Sequence, residues 1–183
     1  MAAIETPVCN YNSKAPPFSL KGIDHKLWSL EKARLSNGLL VMFICNHCPY
    51  VKAIIDKLVS TCKELQSNKI GSIAIMPNDV NAYPEDSFEQ MYLFSVEHNF
   101  SFPYVIDETQ DVAKDYGAVC TPDFFGYNSD LELQYRGRFD NAGINAADQN
   151  TTEELKNAML QIAKIGTGPK IQKPSIGCSI KWV

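Results

Sequence analysis

The sequence lacks several features that mark membrane, nucleic-acid-binding or secreted proteins. No apolar run approaches the roughly 20 residues that a membrane-spanning helix needs. Basic residues do not exceed acidic ones, and the net charge of -4 argues against a nucleic-acid or anionic-membrane partner. Residues 1–17 lack a basic segment followed by an apolar core, so no secretory signal is predicted. Together these absences favour the reducing cytoplasm.

Internal repeats and low-complexity tracts are also lacking, and the composition is ordinary for a globular protein. Of the 183 residues, 45% are hydrophobic and 21% are charged. A chain of this length buries roughly 70% of its unfolded surface, so it needs neither a metal nor a disulfide to form a core. We therefore expect one domain over residues 1–183, with an N-terminal arm (1–14) and an irregular C-terminal tail (169–183).

Hydrophobic periodicity predicts strands that alternate with helices. A continuous apolar run at 39–44 indicates a strand buried on both faces, and 70–76 is predicted as a second buried strand. The segment between them has apolar residues at a 3.6-residue period, which is typical of an amphipathic helix. This apolar face comprises Val51, Ile54, Ile55, Leu58, Val59, Cys62 and Leu65. The order of strand, helix and strand predicts a central sheet sandwiched by helices.

Weaker signals predict the remaining elements. They are two short strands within 15–30 as an N-terminal β extension, a helix at 87–98 capped by Ser87 and Gln90, a strand at 102–106, a helix at 109–116, a hairpin of 123–127 with 132–136, and a helix from Thr151 that uses Glu154 as capping partner and stops at Gly166.

Two cysteines with C-x-x-C spacing, Cys45 and Cys48, lie where the first buried strand meets the amphipathic helix. Pro49 suits the first helical position, where its missing N–H costs nothing, and this makes Cys48 the N-cap. The sulfur then faces the free N–H groups and the positive end of the helix dipole, which lower a thiol pKa. We predict that Cys48 is the reactive thiolate and that Cys45 is a candidate resolving thiol.

The segment 41–51, VMFICNHCPYV, resembles the active-site segment of the thioredoxin and peroxiredoxin superfamily. It is most similar to the peroxiredoxin-like group of the alkyl hydroperoxide reductase/thiol-specific antioxidant family. The resemblance continues through 78–79, 102–104, 116–125, 136–138 and 177–182. It implies an α/β thioredoxin-like three-layer sandwich, in which a central mixed sheet is flanked by helices.

The resemblance also implies roles for individual residues. Cys48 matches the first, attacking cysteine of thioredoxins. Val51 occupies the position of their second cysteine, which is also where true peroxiredoxins keep the peroxide-attacking cysteine. Thr121 and Pro122 match the cis-proline site of the superfamily, which lies beside the nucleophile and would expose the Thr121 backbone to a bound thiol substrate.

Because Val51 removes the usual second cysteine, another thiol must resolve the product. Cys120 is one candidate, although it could equally be a core cysteine. Cys178 is another if the tail folds back, although it could simply be a packed tail thiol. Cys62 is expected in the core, and Cys9 is expected to have no role.

Two further motifs leave alternatives open. His47 could stabilise the neighbouring thiolate if protonated, or could point to solvent. Asn78 and Asp79 could supply a proton acceptor, but an Asx-turn cap is the favoured interpretation.

These features predict a thiol oxidoreductase that needs no cofactor. Its substrate would be a small-molecule peroxide or a protein disulfide, and a thioredoxin- or glutathione-type reductant would restore it. One alternative is a zinc or copper(I) site that uses Cys45, His47 and Cys48. The other is a non-catalytic binding protein that keeps the thioredoxin fold. The oligomeric state stays open.

Overall fold

The computed structural model describes residues 3–7 and 10–183, so the expectation about Cys9 lies outside the described residues. The strands are β1 (Ala3–Glu5), β2 (Leu20–Gly22), β3 (Leu27–Trp28), β4 (Gly38–Phe43), β5 (Ile70–Met76), β6 (Tyr104–Ile106), β7 (Cys120–Thr121), β8 (Asp123–Tyr127), β9 (Leu133–Arg136) and β10 (Ile176–Ser179). The helices are α1 (Leu30–Ala33), α2 (Pro49–Ser67), α3 (Phe88–Glu97), α4 (Asp111–Asp115) and α5 (Glu154–Ile165), and a 3-10 turn spans Pro84–Asp86.

A seven-stranded mixed sheet forms the centre of the fold, in the order β3-β2-β6-β5-β4-β8-β9. The pairs β4–β5 and β5–β6 are parallel, and the other pairs are antiparallel. Every residue of β4 and β5 is buried, which explains why their sequences are largely apolar. The hairpin of β2 and β3 extends the sheet beyond β6, as predicted for the N-terminal β extension.

Two apolar clusters lie on opposite faces of this sheet, so the fold has three layers. Alternate residues of β4 divide between them: Leu40 and Met42 join the cluster that contains the apolar faces of α2 and α5, whereas Leu39, Val41 and Phe43 join the other. The predicted thioredoxin-like three-layer sandwich is confirmed. None of the helices in the described part of the chain is long and apolar enough to cross a membrane.

The C-terminal tail is not irregular throughout, so that expectation is wrong. Residues Ile176–Ser179 form β10, the middle strand of a small antiparallel sheet in the order β1-β10-β7. The expected N-terminal arm likewise contributes β1 to this sheet. Four residues that include Gly177 give no periodic signal, and only tertiary pairing forms the strand.

Two helix starts differ in how well the sequence predicted them. Cys48 is the N-cap of α2 and Pro49 is its first residue, as predicted. Helix α5 begins at Glu154 after Glu153, rather than near Thr151, and Glu154 is not a capping partner. Its carboxylate instead forms an ion pair with Arg138.

Candidate active site

The candidate site lies at the junction of β4 and α2, where three buried cysteines meet the Thr121–Pro122 segment. Cys48 Sγ lies 3.0 Å from Cys178 Sγ and 3.1 Å from the Thr121 carbonyl oxygen. Cys45 Sγ lies 3.3 Å from Thr121 Oγ1. The Thr121–Pro122 peptide bond is cis, as the resemblance implied. Of the candidate thiols, Cys45 and Cys178 are therefore both brought to Cys48.

Cys178 reaches the site because β10 pairs with β7. In the antiparallel register Cys178 lies opposite Thr121, and Ser179 lies opposite Cys120. The Thr121 backbone is therefore already paired within the chain, and the expectation that it is exposed to a substrate is wrong. Gly177 permits this pairing, because a Cβ atom at that position would lie 2.2 Å from the Thr121 carbonyl oxygen.

Hydrogen bonding lowers the pKa of Cys48 to about 5, in the direction that the N-cap position predicted. The largest cause is the Cys45 thiol, which donates toward the Cys48 sulfur, and burial opposes it. Cys178 contributes next, followed by the backbone N–H of Val51 in the first turn of α2. The helix terminus thus assists the thiolate, but a neighbouring thiol contributes most.

The two neighbouring thiols shift in the opposite direction. The pKa of Cys45 is raised far above its usual range, first because Cys45 donates to Cys48, then by burial and by the charge of Asp86. Burial and the Cys48 sulfur raise the pKa of Cys178 to about 12. The site therefore favours one thiolate between two protonated thiols.

The remaining described cysteines do not join this group. Cys120 Sγ donates to the Pro122 carbonyl at 3.5 Å, and burial followed by the charge of Asp123 raises its pKa. Cys62 packs in the core 4.0 Å from the sulfur of Met42, as predicted, and burial raises its pKa to about 12.

A buried carboxylate that the sequence analysis missed organises the loop around His47. Asp86 is fully buried and accepts hydrogen bonds from the Asn46 backbone at 2.8 Å and the Asn78 side chain at 2.7 Å. His47 Nδ1 lies at ion-pair distance from Asp86, 2.7 Å from Oδ2, without forming a hydrogen bond. The partner of His47 is therefore Asp86 rather than Cys48. Asp86 follows a proline and a glutamate in a polar segment, so no apolar pattern signalled its burial.

The Asn78–Asp79 segment has the structural role that the analysis favoured. Asp79 Oδ1 accepts a hydrogen bond from the Asn81 backbone at 2.9 Å, which is an Asx turn. Asn78 Oδ1 accepts from the Lys181 backbone at 3.0 Å and so ties down the chain after β10.

One group of side chains could hold a metal ion. The ligand atoms of Cys45, His47 and Asp86 lie within 4.8 Å of one another, and thiolate, imidazole and carboxylate are all zinc ligands. Cys48 is not part of this group, which differs from the predicted set of Cys45, His47 and Cys48.

Comparison with known proteins agrees with this geometry. The sequence profile of the AhpC/TSA family matches residues 11–139, and none of the curated proteins matches the chain. An uncharacterized conserved protein from Geobacillus kaustophilus is 41% identical with a TM-score of 0.93, covering 100% of this chain and 97% of that chain. A hypothetical protein from Sinorhizobium meliloti 1021 is 35% identical with a TM-score of 0.92, covering 98% of each chain.

A more distant structure shares the fold alone. Peroxidoxin BcpB from Mycobacterium tuberculosis is 12% identical with a TM-score of 0.63, covering 84% of this chain and 96% of that chain. The profile match spans more than half of the sequence, and it includes β4, the cysteine pair and the cis-proline segment. The chain therefore belongs to the AhpC/TSA family.

Proposed function

We propose that Cys48 is the nucleophile of this thiol-dependent oxidoreductase and that Cys178 is its resolving thiol. The observation that carries the proposal is the 3.0 Å approach of the two sulfurs, one with a lowered and the other with a raised pKa. A thiolate attacks, and a protonated neighbour is ready to react with the product.

With a peroxide, the Cys48 thiolate attacks one oxygen and the O–O bond breaks. The product is a sulfenic acid on Cys48, and the alcohol or water leaves with one added proton. Cys178 then attacks the sulfenic sulfur, which forms a Cys48–Cys178 disulfide and releases water. Two thiol equivalents from a dithiol protein or a glutathione-type thiol return both cysteines to the reduced state.

With a disulfide, Cys48 attacks one sulfur and the other leaves as a thiolate. Cys178 then attacks the mixed disulfide at Cys48 and releases the second half of the substrate. Either route suits the cytoplasm, where thiol reductants keep cysteines reduced, and would contribute to cell redox homeostasis.

The sequence suggested Cys45 as a candidate resolving thiol, but we propose a different role for it. Its thiol makes the largest contribution to lowering the pKa of Cys48, and its own pKa is raised far above the usual range. Of the two neighbouring thiols, Cys45 holds its proton the more firmly, so it is the poorer attacking thiol. We assign Cys45 as a positioning residue that stabilises the Cys48 thiolate.

Disulfide mapping after limited oxidation tests the assignment. The reduced protein is treated with one equivalent of hydrogen peroxide and analysed by peptide mass spectrometry, and a Cys48–Cys178 disulfide is expected. Cys178→Ser should stop at a sulfenic acid on Cys48, and the core variant Cys62→Ala should behave as the wild type. A Cys45–Cys48 disulfide as the main product would return the resolving role to Cys45.

Metal binding is the second candidate function, because three ligand types converge at Cys45, His47 and Asp86. Metal content of the purified protein tests it. One equivalent of zinc that is lost in His47→Ala would favour this function, and metal-free protein with full redox turnover would contradict it.

A further inference from the structure

The Cys48 sulfur has no route to a substrate while β10 is in place. Cys48 is fully buried and Cys178 is 3% exposed, even though the proposed function requires Cys48 to attack an external bond. The residues opposite Cys48 are Thr121 on β7 and Cys178 on β10. Movement of β10 would open this side of Cys48 to a substrate.

Strand β10 is short, and besides its pairing with β1 and β7 it is held at both ends. It has four residues, and its outer neighbour β1 is a three-residue exposed strand. Before the strand, the Ser175 hydroxyl donates to the Pro122 carbonyl at 2.9 Å, and after it the Lys181 backbone donates to Asn78. A small sheet built from strands of only two to four residues can open locally without unfolding of the core.

The edge that β10 covers has the features of a binding site for an extended chain. Strand β7 offers backbone pairing, which any extended segment can use, and the register sets a cysteine opposite Thr121 and next to Cys48. A groove of about 320 Å³ continues from this edge, and its lining includes Tyr50, Pro122 and Ile176.

The close approach of Gly177 adds selectivity to this edge. A Cβ there would lie 2.2 Å from the Thr121 carbonyl oxygen, which belongs to the backbone and cannot move aside. An extended segment that binds in the same register must therefore have glycine immediately before its cysteine.

We propose that β10 is a displaceable occupant of a peptide-binding edge, and that this edge takes extended protein segments with a Gly-Cys sequence in its place. This inference rests on the proposed role of Cys48. Cys48 attacks the disulfide of the bound cysteine, and the sulfur on the far side leaves as a thiolate. When β10 returns, Cys178 attacks Cys48, releases the Gly-Cys thiolate and leaves a Cys48–Cys178 disulfide.

Opening the strand by mutation tests the first part. Gly177→Val should displace β10 from β7 without altering any cysteine. Iodoacetamide should then alkylate Cys48 at least about tenfold faster in the reduced variant than in the reduced wild type. Ile171→Ala, which trims an exposed side chain of the C-terminal tail outside β10, is the control and should label at the wild-type rate. Equal rates in all three proteins would overturn the proposal.

A peptide in trans tests the second part. The Gly177→Val protein is mixed with the peptide PSIGCSIK, the sequence of residues 174–181, whose cysteine carries a small aromatic thiol in a disulfide. A mixed disulfide with Cys48 should form about tenfold faster or more than with PSIVCSIK. Equal rates for the two peptides would overturn the selectivity.

Hydrogen exchange of the unmodified protein provides a measurement that needs no variant. Amides of residues 176–180 should exchange faster than those of β5, because β10 opens while the core stays closed. Exchange of both segments at one rate would contradict local opening. These labelling and exchange results do not depend on disulfide formation, so failure of the Cys48–Cys178 pairing remains distinguishable from failure of this inference.

Discussion

Replacing Cys45 should change the acidity of Cys48 more than any other single change in the site. The Cys45 thiol is the largest cause of the lowered pKa of Cys48, ahead of Cys178 and of the Val51 backbone N–H. Cys45→Ala removes this donor, whereas Cys45→Ser keeps a hydroxyl that can donate in the same place. The two variants therefore separate loss of the hydrogen bond from loss of the sulfur.

The size of the effect follows from the energy of a hydrogen bond to a charged acceptor. Such a bond contributes about 1.5–3 kcal/mol, which corresponds to a change of about 1 to 2 in a pKa. The pKa of Cys48 should therefore rise from about 5 to about 6–7 in Cys45→Ala. In Cys45→Ser it should stay close to the wild-type value.

Thiolate absorbance in the ultraviolet measures this pKa directly, because the pKa of each neighbouring cysteine is raised. The core variant Cys62→Ala serves as the control, and its titration should match the wild type. A midpoint that stays unchanged in Cys45→Ala would refute the role of the Cys45 thiol. An equal rise in Cys45→Ser and Cys45→Ala would show that the hydrogen bond is not the cause.

Two further predictions concern stability. Arg136→Leu should lower the free energy of unfolding by about 3–5 kcal/mol, because it leaves the fully buried Asp123 without its ion pair, whereas Arg34→Leu, which breaks a largely exposed pair with Glu31, should cost less than about 1 kcal/mol. If urea denaturation gave the same loss of unfolding free energy for both variants, this prediction would be contradicted. The lowered pKa of Cys48 should also make the stability of the reduced protein depend on pH. The Cys48 thiolate stabilises the fold fully at pH values above the ordinary cysteine pKa of about 9, and this stabilisation is lost as the pH falls toward about 5. The gap in denaturation midpoint between the wild type and Cys48→Ser should therefore narrow on acidification, and a widening gap would contradict the lowered pKa.

Local sequence predicted the parts of the site that depend on local structure. Pro49 has a fixed φ and no N–H, so it could be placed at the first position of α2, and Cys48 followed as the N-cap. The buried strands β4 and β5 were visible in the local sequence because they are largely apolar. The cis bond before Pro122 came from the family resemblance, because nothing in the local composition distinguishes it.

The parts that depend on long-range pairing were not predictable in this way. Strand β10 has no periodic pattern, and it forms because its backbone pairs with both β1 and β7. Asp86 lies in a polar turn, and its burial results from donors on Asn46 and Asn78, which are distant in sequence or on another loop. The expectation of an exposed Thr121 backbone was wrong because β10 pairs with it.

Val51 occupies the position where thioredoxins have their second cysteine, and this difference has a structural consequence for regulation. A resolving cysteine in the first turn of a helix would be fixed beside Cys48 whatever the rest of the chain did. In this protein the proposed resolving thiol, Cys178, lies on a separate strand, and the same strand packs against Cys48. Under the proposed mechanism, access to Cys48 requires β10 to be open, and attack by Cys178 on the product requires β10 to be closed. A redox cycle built on these residues must include a movement of that strand, which a helix-borne cysteine pair would not need.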